Sequence, residues 1–361
     1  MRRRLKLWTL VACPLLGLLL AEGIVRAIPV SVVPQPESRG LLFRVSRIPG
    51  LTFENRPGAL RTTTYRDGAG GEPRVVEHRV NAQGFRGPVV EGPAPSGTFR
   101  IACVGDSHTF GAGVGEGEAW PAVLRSLAAA DPAHFGEAVE RVEVLNGGVN
   151  AYDTEREVLL LRHRILDLEP DLVLLQYHAN DTSPRNALGW KPPFDDPLWQ
   201  LAAPDRDDWV RTLREHSRLA DVALDRIRSW RGARDESGLA LKGYGEDEEG
   251  WTRVTRVLLD ARDLLRERGI AFGVVLFPSL SSAGPHLASH AAFERVRGFC
   301  ESSGIPVHDG EPDLLALARL EARSLAELRV HPHDPHAGPR AHAAFAAGVH
   351  GWLPSFLRSS P

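Results

Sequence analysis

The chain has 361 residues, of which 43% are hydrophobic and 25% are charged, an ordinary composition for a globular protein with a sizeable core. Its formal net charge of −3 gives no reason to expect a nucleic-acid-binding surface. The three cysteines, Cys13, Cys103 and Cys300, do not make a disulfide framework, and Cys103 lies in an apolar run where a buried thiol is expected.

The N-terminus has the pattern of a membrane-targeting segment. Met1–Lys6 is strongly basic, and the uncharged stretch Leu7–Ala21 follows it directly. If Glu22 and Arg26 lie at the membrane interface, residues 1–33 are long enough to cross a bilayer. We therefore expect a signal anchor with the rest of the chain outside the cytoplasm; a cleaved signal peptide is the alternative.

Residues 34–98 are rich in proline, glycine and arginine and show no helical period. Within them, Arg74–Val80 alternates in the manner of a short strand. We expect a small extended region that leads from the membrane to the main domain.

From residue 99 onward, apolar runs that are typical of buried strands alternate with helical patterns. The predicted strands cover residues 99–104, 142–145, 171–177, 271–277 and 306–308. The predicted helices cover residues 119–130, 154–169, 208–230, 250–268, 287–302 and 339–353, and the second begins with a capping box at Thr154–Glu157. This alternation predicts a parallel sheet with helices on both faces, in a domain over residues 99–358 with an insertion at about 182–250.

Polar motifs follow three of these strands directly. They are Gly105–Ser107, Asn146–Gly148 and His178–Asp181, and His331–His336 comes just before the last helix. In open parallel sheets, ligands bind outside the C-terminal ends of the strands. The four segments are therefore expected to meet at one edge of the sheet.

The residue types in these segments suit nucleophilic catalysis. A serine hydroxyl is a weak nucleophile until a base removes its proton, and the base needs an orienting partner. Ser107 can be the nucleophile, His336 the base and Asp334 the orienting acid. The backbone N–H groups of Ser107 and Gly148, with the side-chain amide of Asn180, can form an oxyanion hole.

These four blocks, GDS, NGG, HAND and DPH, resemble the four blocks of the SGNH (GDSL) hydrolases, and they occur in the same order. The resemblance covers about residues 99–355. It implies a flavodoxin-like three-layer α/β/α sandwich and ester chemistry, with no cofactor and no metal ion. The leader, the segment Val80–Arg86 and the form GDSHTFGAGV resemble membrane-anchored or exported bacterial members, some of which add or remove acetyl groups on surface polysaccharides.

The chain departs from the family pattern in three places. Ala151 stands where the second block often has a further glycine, and His178 and Ala179 precede Asn180 where glycines are common. The acid and base are spaced D-x-H rather than D-x-x-H. His108 and His178 lie beside the predicted site and are candidates for substrate contact.

Two other motifs have rival interpretations. The three histidines of His331–His336 resemble a dinuclear-zinc motif, but the acid stands one place too early. The glycines of Gly111–Gly115 resemble a dinucleotide-binding loop, but they come after the serine rather than at the strand–helix turn. Three aromatic residues of the insertion could line an acceptor cleft or pack within it: Trp190, Phe194 and Trp199.

The sequence thus predicts a serine esterase or O-acyltransferase of the cell envelope. It would act on acyl esters, with acetyl esters of envelope glycans as the leading candidates, and contact the membrane through its N-terminal helix. The alternative is a non-catalytic, glycan-binding scaffold of a polysaccharide modification complex.

Overall fold

The computed structural model describes residues 2–27, 37–66, 72–182, 213, 216–220, 222–223, 226, 244–245, 248–280, 282–283, 286–287, 289–332 and 334–359. The predicted aromatic cleft residues Trp190, Phe194 and Trp199 lie outside these residues, as does most of the predicted helix at 208–230.

The first helix, α1, spans Arg2–Ala27. Its apolar stretch ends in Glu22 and Arg26, which form an ion pair at 2.6 Å. In the described part of the chain, no helix combines the length and the apolar character needed to cross a membrane. The expected transmembrane helix is therefore not supported.

Five short strands follow α1: β1 (Glu37–Arg39), β2 (Phe43–Val45), β3 (Phe53–Asn55), β4 (Leu60–Tyr65) and β5 (Arg74–Arg79). They form an antiparallel sheet of order β1-β4-β5 and a separate β2-β3 pair. In the β4–β5 pairing, Tyr65 lies opposite Arg74 and Arg61 lies opposite His78. The alternating pattern at residues 74–80 thus corresponds to a real strand, β5.

The main domain contains a five-stranded parallel sheet. Its strands are β6 (Thr98–Gly105), β7 (Arg141–Gly148), β8 (Leu172–Tyr177), β9 (Ala271–Leu276) and β12 (Val307–Asp309). In the order β12-β9-β8-β6-β7, β7 lies at one edge of the sheet, beside β6. Counted along this sheet the order is 2-1-3-4-5, which is the flavodoxin-like order. The predicted parallel sheet and its strand positions are confirmed.

Helices cover both faces of this sheet. Within the described residues, the other α-helices and strands are α2 (Ser107–Phe110), α3 (Trp120–Ala130), α4 (Thr154–Leu160), α5 (Glu249–Arg266), β10 (Ser282–Ala283), β11 (His286–Leu287), α6 (His290–Ser302), α7 (Glu311–Leu320), β13 (Arg329–His331), β14 (Asp334–Ala337) and α8 (Pro339–Ser359). Along β6, Ile101 and Cys103 pack in a core with α3, α7 and α8. Ala102 and Val104 point to the other face and pack with α4, α5 and α6. The central strand β6 is therefore apolar on both sides over residues 101–104, which explains its uninterrupted apolar run.

The start of α4 differs from the sequence prediction. Asp153, not Thr154, caps this helix, and its side chain accepts a hydrogen bond from Arg156 N. Thr154 is the first helical residue, and its hydroxyl donates to Asp181 Oδ2 at 2.8 Å. The predicted capping box is wrong by one position because a neighbouring carboxylate takes the capping role.

Candidate active site

Ser107 stands at the first turn after the central strand β6. Asp106 caps the short helix α2, and its carboxylate accepts a hydrogen bond from His108 N at 2.8 Å. Gly111 ends the helix in a left-handed conformation with φ of 81°. The strand therefore delivers Ser107 to the C-terminal edge of the sheet, where its side chain is half-buried.

The serine, the histidine and the aspartate of the sequence prediction meet at this edge. His336 Nε2 lies 2.8 Å from Ser107 Oγ. The other ring nitrogen, His336 Nδ1, lies 2.5 Å from Asp334 Oδ1. The side chains of His336 and Asp334 remain 30% and 19% exposed, so the three groups are reachable from solvent.

The β13–β14 hairpin explains how D-x-H spacing can work. Asp334 and His336 both lie on β14, and Asp334 Oδ1 also accepts a hydrogen bond from the His336 backbone N–H at 3.1 Å. The carboxylate folds back onto its own strand and reaches the backbone and the ring of the residue two positions on. Asp334 is thus the acid that contacts His336, and its Oδ2 accepts a further bond from Tyr65.

The charges around His336 favour its protonated form. Burial alone would lower the pKa of His336, but its hydrogen bond to Asp334 and the negative charges of Asp334 and Asp106 outweigh burial and raise the pKa. Burial would likewise raise the pKa of Asp334, yet the contacts with His336 and Tyr65 hold it below its usual value. The pair can therefore accept a proton on the ring while the carboxylate stays ionised.

The backbone of Gly148 has two functions in this structure. Gly148 lies opposite Gly105 in the β6–β7 register, and a Cβ there would come within 2.1 Å of Phe110 N. The missing side chain therefore makes room for α2 rather than for a substrate. The Gly148 N–H, a predicted oxyanion donor, donates to Asn146 Oδ1 at 3.0 Å.

Asn180 and His178 form a polar pair on the loop after β8. The His178 Nδ1 and Asn180 Oδ1 atoms are 2.9 Å apart, and His178 Nε2 lies 3.2 Å from Ser279 Oγ. In the tautomer with the proton on Nδ1, the His178 ring donates to the Asn180 carbonyl oxygen. Its Nε2 then accepts a hydrogen bond from the Ser279 hydroxyl. The side-chain amide nitrogen of Asn180 must then point away from His178.

His108 is packed among the aromatic rings of the site. The residue is 7% exposed, and its ring stacks on His178 and on Phe277, each with ring centroids 4.7 Å apart. Burial, reinforced by the neighbouring histidines, lowers the pKa of His108. The predicted substrate contact by His108 stays a prediction.

The loop that follows Ser107 is held by Arg86, a residue of the segment 80–86. Its guanidinium donates to the carbonyl oxygens of Phe110, Gly111 and Val114, each at 2.6 Å. The glycine-rich segment 111–115 is thus occupied by contacts within the protein and does not follow a strand as a dinucleotide-binding loop would.

Two clusters that contain histidines are candidates for metal binding. Asp106, His108 and His178 could each offer one ligand atom, and these atoms lie within 4.8 Å of one another. In the histidine-rich segment, His336 contacts Ser107 and His331 Nε2 lies 3.2 Å from the carbonyl oxygen of Arg66. His333 lies outside the described residues.

No protein-family model matches the chain, and no curated protein does so. Among solved structures, the fold is similar to a putative lipolytic protein of the G-D-S-L family from Desulfitobacterium hafniense DCB-2 (12% identity, TM-score 0.39, covering 70% of this chain and 98% of that one). It is also similar to the acetyl xylan esterase AlAXEase (13%, TM-score 0.43, 71% and 100%) and to the lipase/acylhydrolase from Enterococcus faecalis (15%, TM-score 0.40, 71% and 96%). At these identities the likeness concerns the fold alone.

Proposed function

We propose that this protein is a serine-dependent esterase or O-acyltransferase that acts on acyl esters through a covalent acyl-enzyme. The observation that carries the proposal is the continuous contact from Ser107 Oγ through His336 to Asp334, with distances of 2.8 and 2.5 Å. This is the arrangement that nucleophilic catalysis by a serine requires, because a base must contact the hydroxyl and an acid must orient the base.

In the first half-reaction, His336 Nε2 takes the proton of Ser107 as Oγ attacks the acyl carbonyl carbon. The proton on Nδ1 stays directed at Asp334, whose negative charge stabilises the imidazolium. As the tetrahedral intermediate collapses, His336 gives its proton to the departing alkoxide, and the acyl group remains on Ser107. A second alcohol or a water molecule then loses a proton to His336 and attacks the acyl-enzyme. As this second tetrahedral intermediate collapses, His336 returns the proton to Ser107 Oγ and the serine is regenerated.

The oxyanion is proposed to be held by the backbone N–H of Ser107 and the side-chain amide of Asn180. His178 supports this role because its Nδ1 lies 2.9 Å from the Asn180 carbonyl oxygen and thereby orients the side-chain amide. The Gly148 N–H can join them only after it exchanges Asn146 Oδ1 for the substrate oxygen.

For the substrate we propose acetyl esters of glycans, the class that the sequence motifs led us to expect. Water as the second acceptor gives hydrolysis, and a sugar hydroxyl gives transfer; both share the same first half-reaction. We further propose that the catalytic domain works outside the cytoplasm, since a basic start and an apolar run are typical of export. A fusion of the C-terminus to a reporter that is active only outside the cytoplasm tests this location.

The activity is tested by turnover of p-nitrophenyl acetate. We expect Ser107→Ala to lower kcat by about a million-fold, the loss seen for triad serines. Ser126→Ala is the matched control, because this exposed serine donates to the carbonyl oxygen of Ala122 in its own helix. If Ser107→Ala kept wild-type turnover, the proposed serine chemistry would be wrong. A wild-type protein with no turnover of acyl esters would favour the non-catalytic glycan-binding scaffold instead.

A further inference from the structure

The acid of the proposed triad receives a hydrogen bond from outside the main domain. Tyr65, the last residue of β4, donates from its hydroxyl to Asp334 Oδ2 at 3.1 Å. The two residues are separated by 269 positions in the chain. Tyr65 is only 5% exposed, so its hydroxyl reaches the partly exposed Asp334 from the inner side of the molecule.

Both oxygens of Asp334 are thereby held. Oδ1 accepts from the His336 ring and from the His336 backbone N–H, while Oδ2 accepts from Tyr65. Burial and the charge of Asp334 raise the pKa of Tyr65, so its phenol stays protonated and acts as the donor. With a partner on each oxygen, the carboxylate plane cannot rotate freely away from the histidine ring.

Tyr65 is itself fixed by the segment that follows the nucleophile. It packs in one small core with Val76 of its own sheet, with Val114 and Ala119 after Ser107, and with Val330 of β13. A Cβ on Gly113 would come within 2.7 Å of the Tyr65 hydroxyl oxygen. The tyrosine therefore lies between the loop after the serine and the hairpin that carries the acid and the base.

Neighbouring residues of β5 anchor this arrangement. Arg74 donates to the carbonyl oxygen of Gly113 at 2.6 Å and lies over the Tyr65 ring at 5.7 Å. His78 Nε2 accepts a hydrogen bond from Gly113 N at 3.0 Å. The N-terminal sheet is thus attached to the loop after Ser107 at the same place where it reaches Asp334.

From these contacts we infer that Tyr65 is a positioning residue for catalysis, which fixes Asp334 and moderates its charge so that His336 keeps the orientation and basicity that proton transfer needs. The inference rests on the proposed Ser107–His336–Asp334 chemistry. It makes the N-terminal sheet a part of the catalytic apparatus rather than a spacer between a leader and the enzyme.

The hydroxyl of Tyr65 can be removed without a change of charge. Tyr65→Phe changes none of the ionisable groups around Tyr65 and His336. Those near Tyr65 are Arg61, Arg74 and Asp334, with the His331 ring 5.8 Å away. Those that act on His336 are Asp334 and Asp106, with the His108 ring 5.4 Å away and His342 in α8.

The test compares pH profiles of kcat/KM on p-nitrophenyl acetate. In Tyr65→Phe, Asp334 loses the hydrogen bond from the phenol, so its negative charge acts more strongly on His336 and stabilises the imidazolium. We expect the acidic limb to move up by roughly half to one pH unit, with kcat about ten-fold lower and KM within about two-fold.

Tyr152→Phe is the matched control. Its buried hydroxyl donates to the carbonyl oxygen of Phe53, so it also joins the N-terminal segment to the main domain but lies apart from Asp334. In this variant, the acidic limb of the kcat/KM profile should lie at the wild-type pH. If Tyr65→Phe also kept the wild-type limb and kcat, or if both variants lost rate equally with no movement of the limb, the inference would be overturned.

Two further measurements keep the outcome clear. If Tyr65→Phe folds poorly, 3-fluorotyrosine at position 65 retains the ring and is a stronger donor, so the limb should move to lower pH; an unmoved limb counts against the inference. Ser107→Ala is assayed in parallel: full activity there would reject the proposed function, whereas an inactive Ser107→Ala with a wild-type-like Tyr65→Phe rejects only the role of Tyr65.

Discussion

Asp334 contacts His336 twice, once through the ring Nδ1 at 2.5 Å and once through the backbone N–H at 3.1 Å, with the same oxygen. The opposite nitrogen of the ring faces Ser107 Oγ at 2.8 Å. One short strand, β14, therefore carries both Asp334 and His336, and their separation is fixed by the strand rather than by packing between distant elements.

This double contact predicts the effect of Asp334→Asn. The amide can present an N–H to the ring and stabilise the wrong tautomer, which leaves Nε2 protonated and unable to accept from Ser107. We expect kcat to fall by about 10³- to 10⁴-fold with little loss of stability. Asp313→Asn is the control, because Asp313 also contacts a histidine but is not part of the proposed site. Its Oδ2 lies 2.9 Å from His308 Nε2. Equal activity of the two variants would rule out an orienting role for Asp334.

The electrostatics predict how activity depends on pH. Only the neutral form of His336 can accept the serine proton, and its pKa is raised above 6.5. Hence kcat/KM should fall as the pH drops through a midpoint that lies above this value. A midpoint well below it would show that the Asp334 and Asp106 charges do not act on the base.

Asp106→Asn isolates one of those charges. Asparagine caps a helix about as well as aspartate does, so α2 should persist while the negative charge is lost. Since the charge of Asp106 raises the pKa of His336, the acidic limb of kcat/KM should move to lower pH. This is the direction opposite to that expected for Tyr65→Phe, and movement the other way would contradict the assignment.

The contact between His178 and Asn180 predicts a split between kcat and KM. Asn180→Ala should lower kcat by about 10²- to 10³-fold, as for loss of one oxyanion donor. His178→Ala frees the amide to rotate and should lower kcat by about ten-fold with KM nearly unchanged. If His178 contacts the substrate instead, as the sequence suggested, KM should rise while kcat changes little.

Gly148→Ala tests the close approach of β7 and α2. The new methyl group would meet Phe110 N at 2.1 Å and the carbonyl carbon of Thr109 at 2.6 Å, and backbone atoms cannot move aside cheaply. We expect a loss of about 2–3 kcal/mol in the free energy of unfolding, measured by chemical denaturation. Gly117→Ala, which meets nothing within 4 Å, should change stability by less than about 1 kcal/mol.

Much of the sheet could be predicted because its strands are buried on both faces. Strands such as β8, with every residue buried, leave a continuous apolar run in the sequence. The position of Ser107 could be predicted because a short polar motif ends such a run, and parallel strands bring their C-terminal ends to one edge.

Other features depend on contacts that no local pattern records. The bond from Tyr65 to Asp334 joins residues 269 positions apart. The hydrogen bond to Asn146 Oδ1 fixes the direction of the Gly148 backbone N–H, and the residue types alone do not show this bond. Helix α7 was missed although it carries a local signal, since Pro312 stands in its first turn, where proline is favoured.

The most direct measurement is intact-mass spectrometry of the protein after reaction with a fluorophosphonate, followed by peptide mapping. An activated serine reacts with this probe, whereas an ordinary turn serine does not. We predict a single adduct on Ser107, abolished in Ser107→Ala and strongly slowed when His336 is replaced by alanine. An unlabelled wild-type protein, or an adduct carried by another residue, would contradict the proposed chemistry.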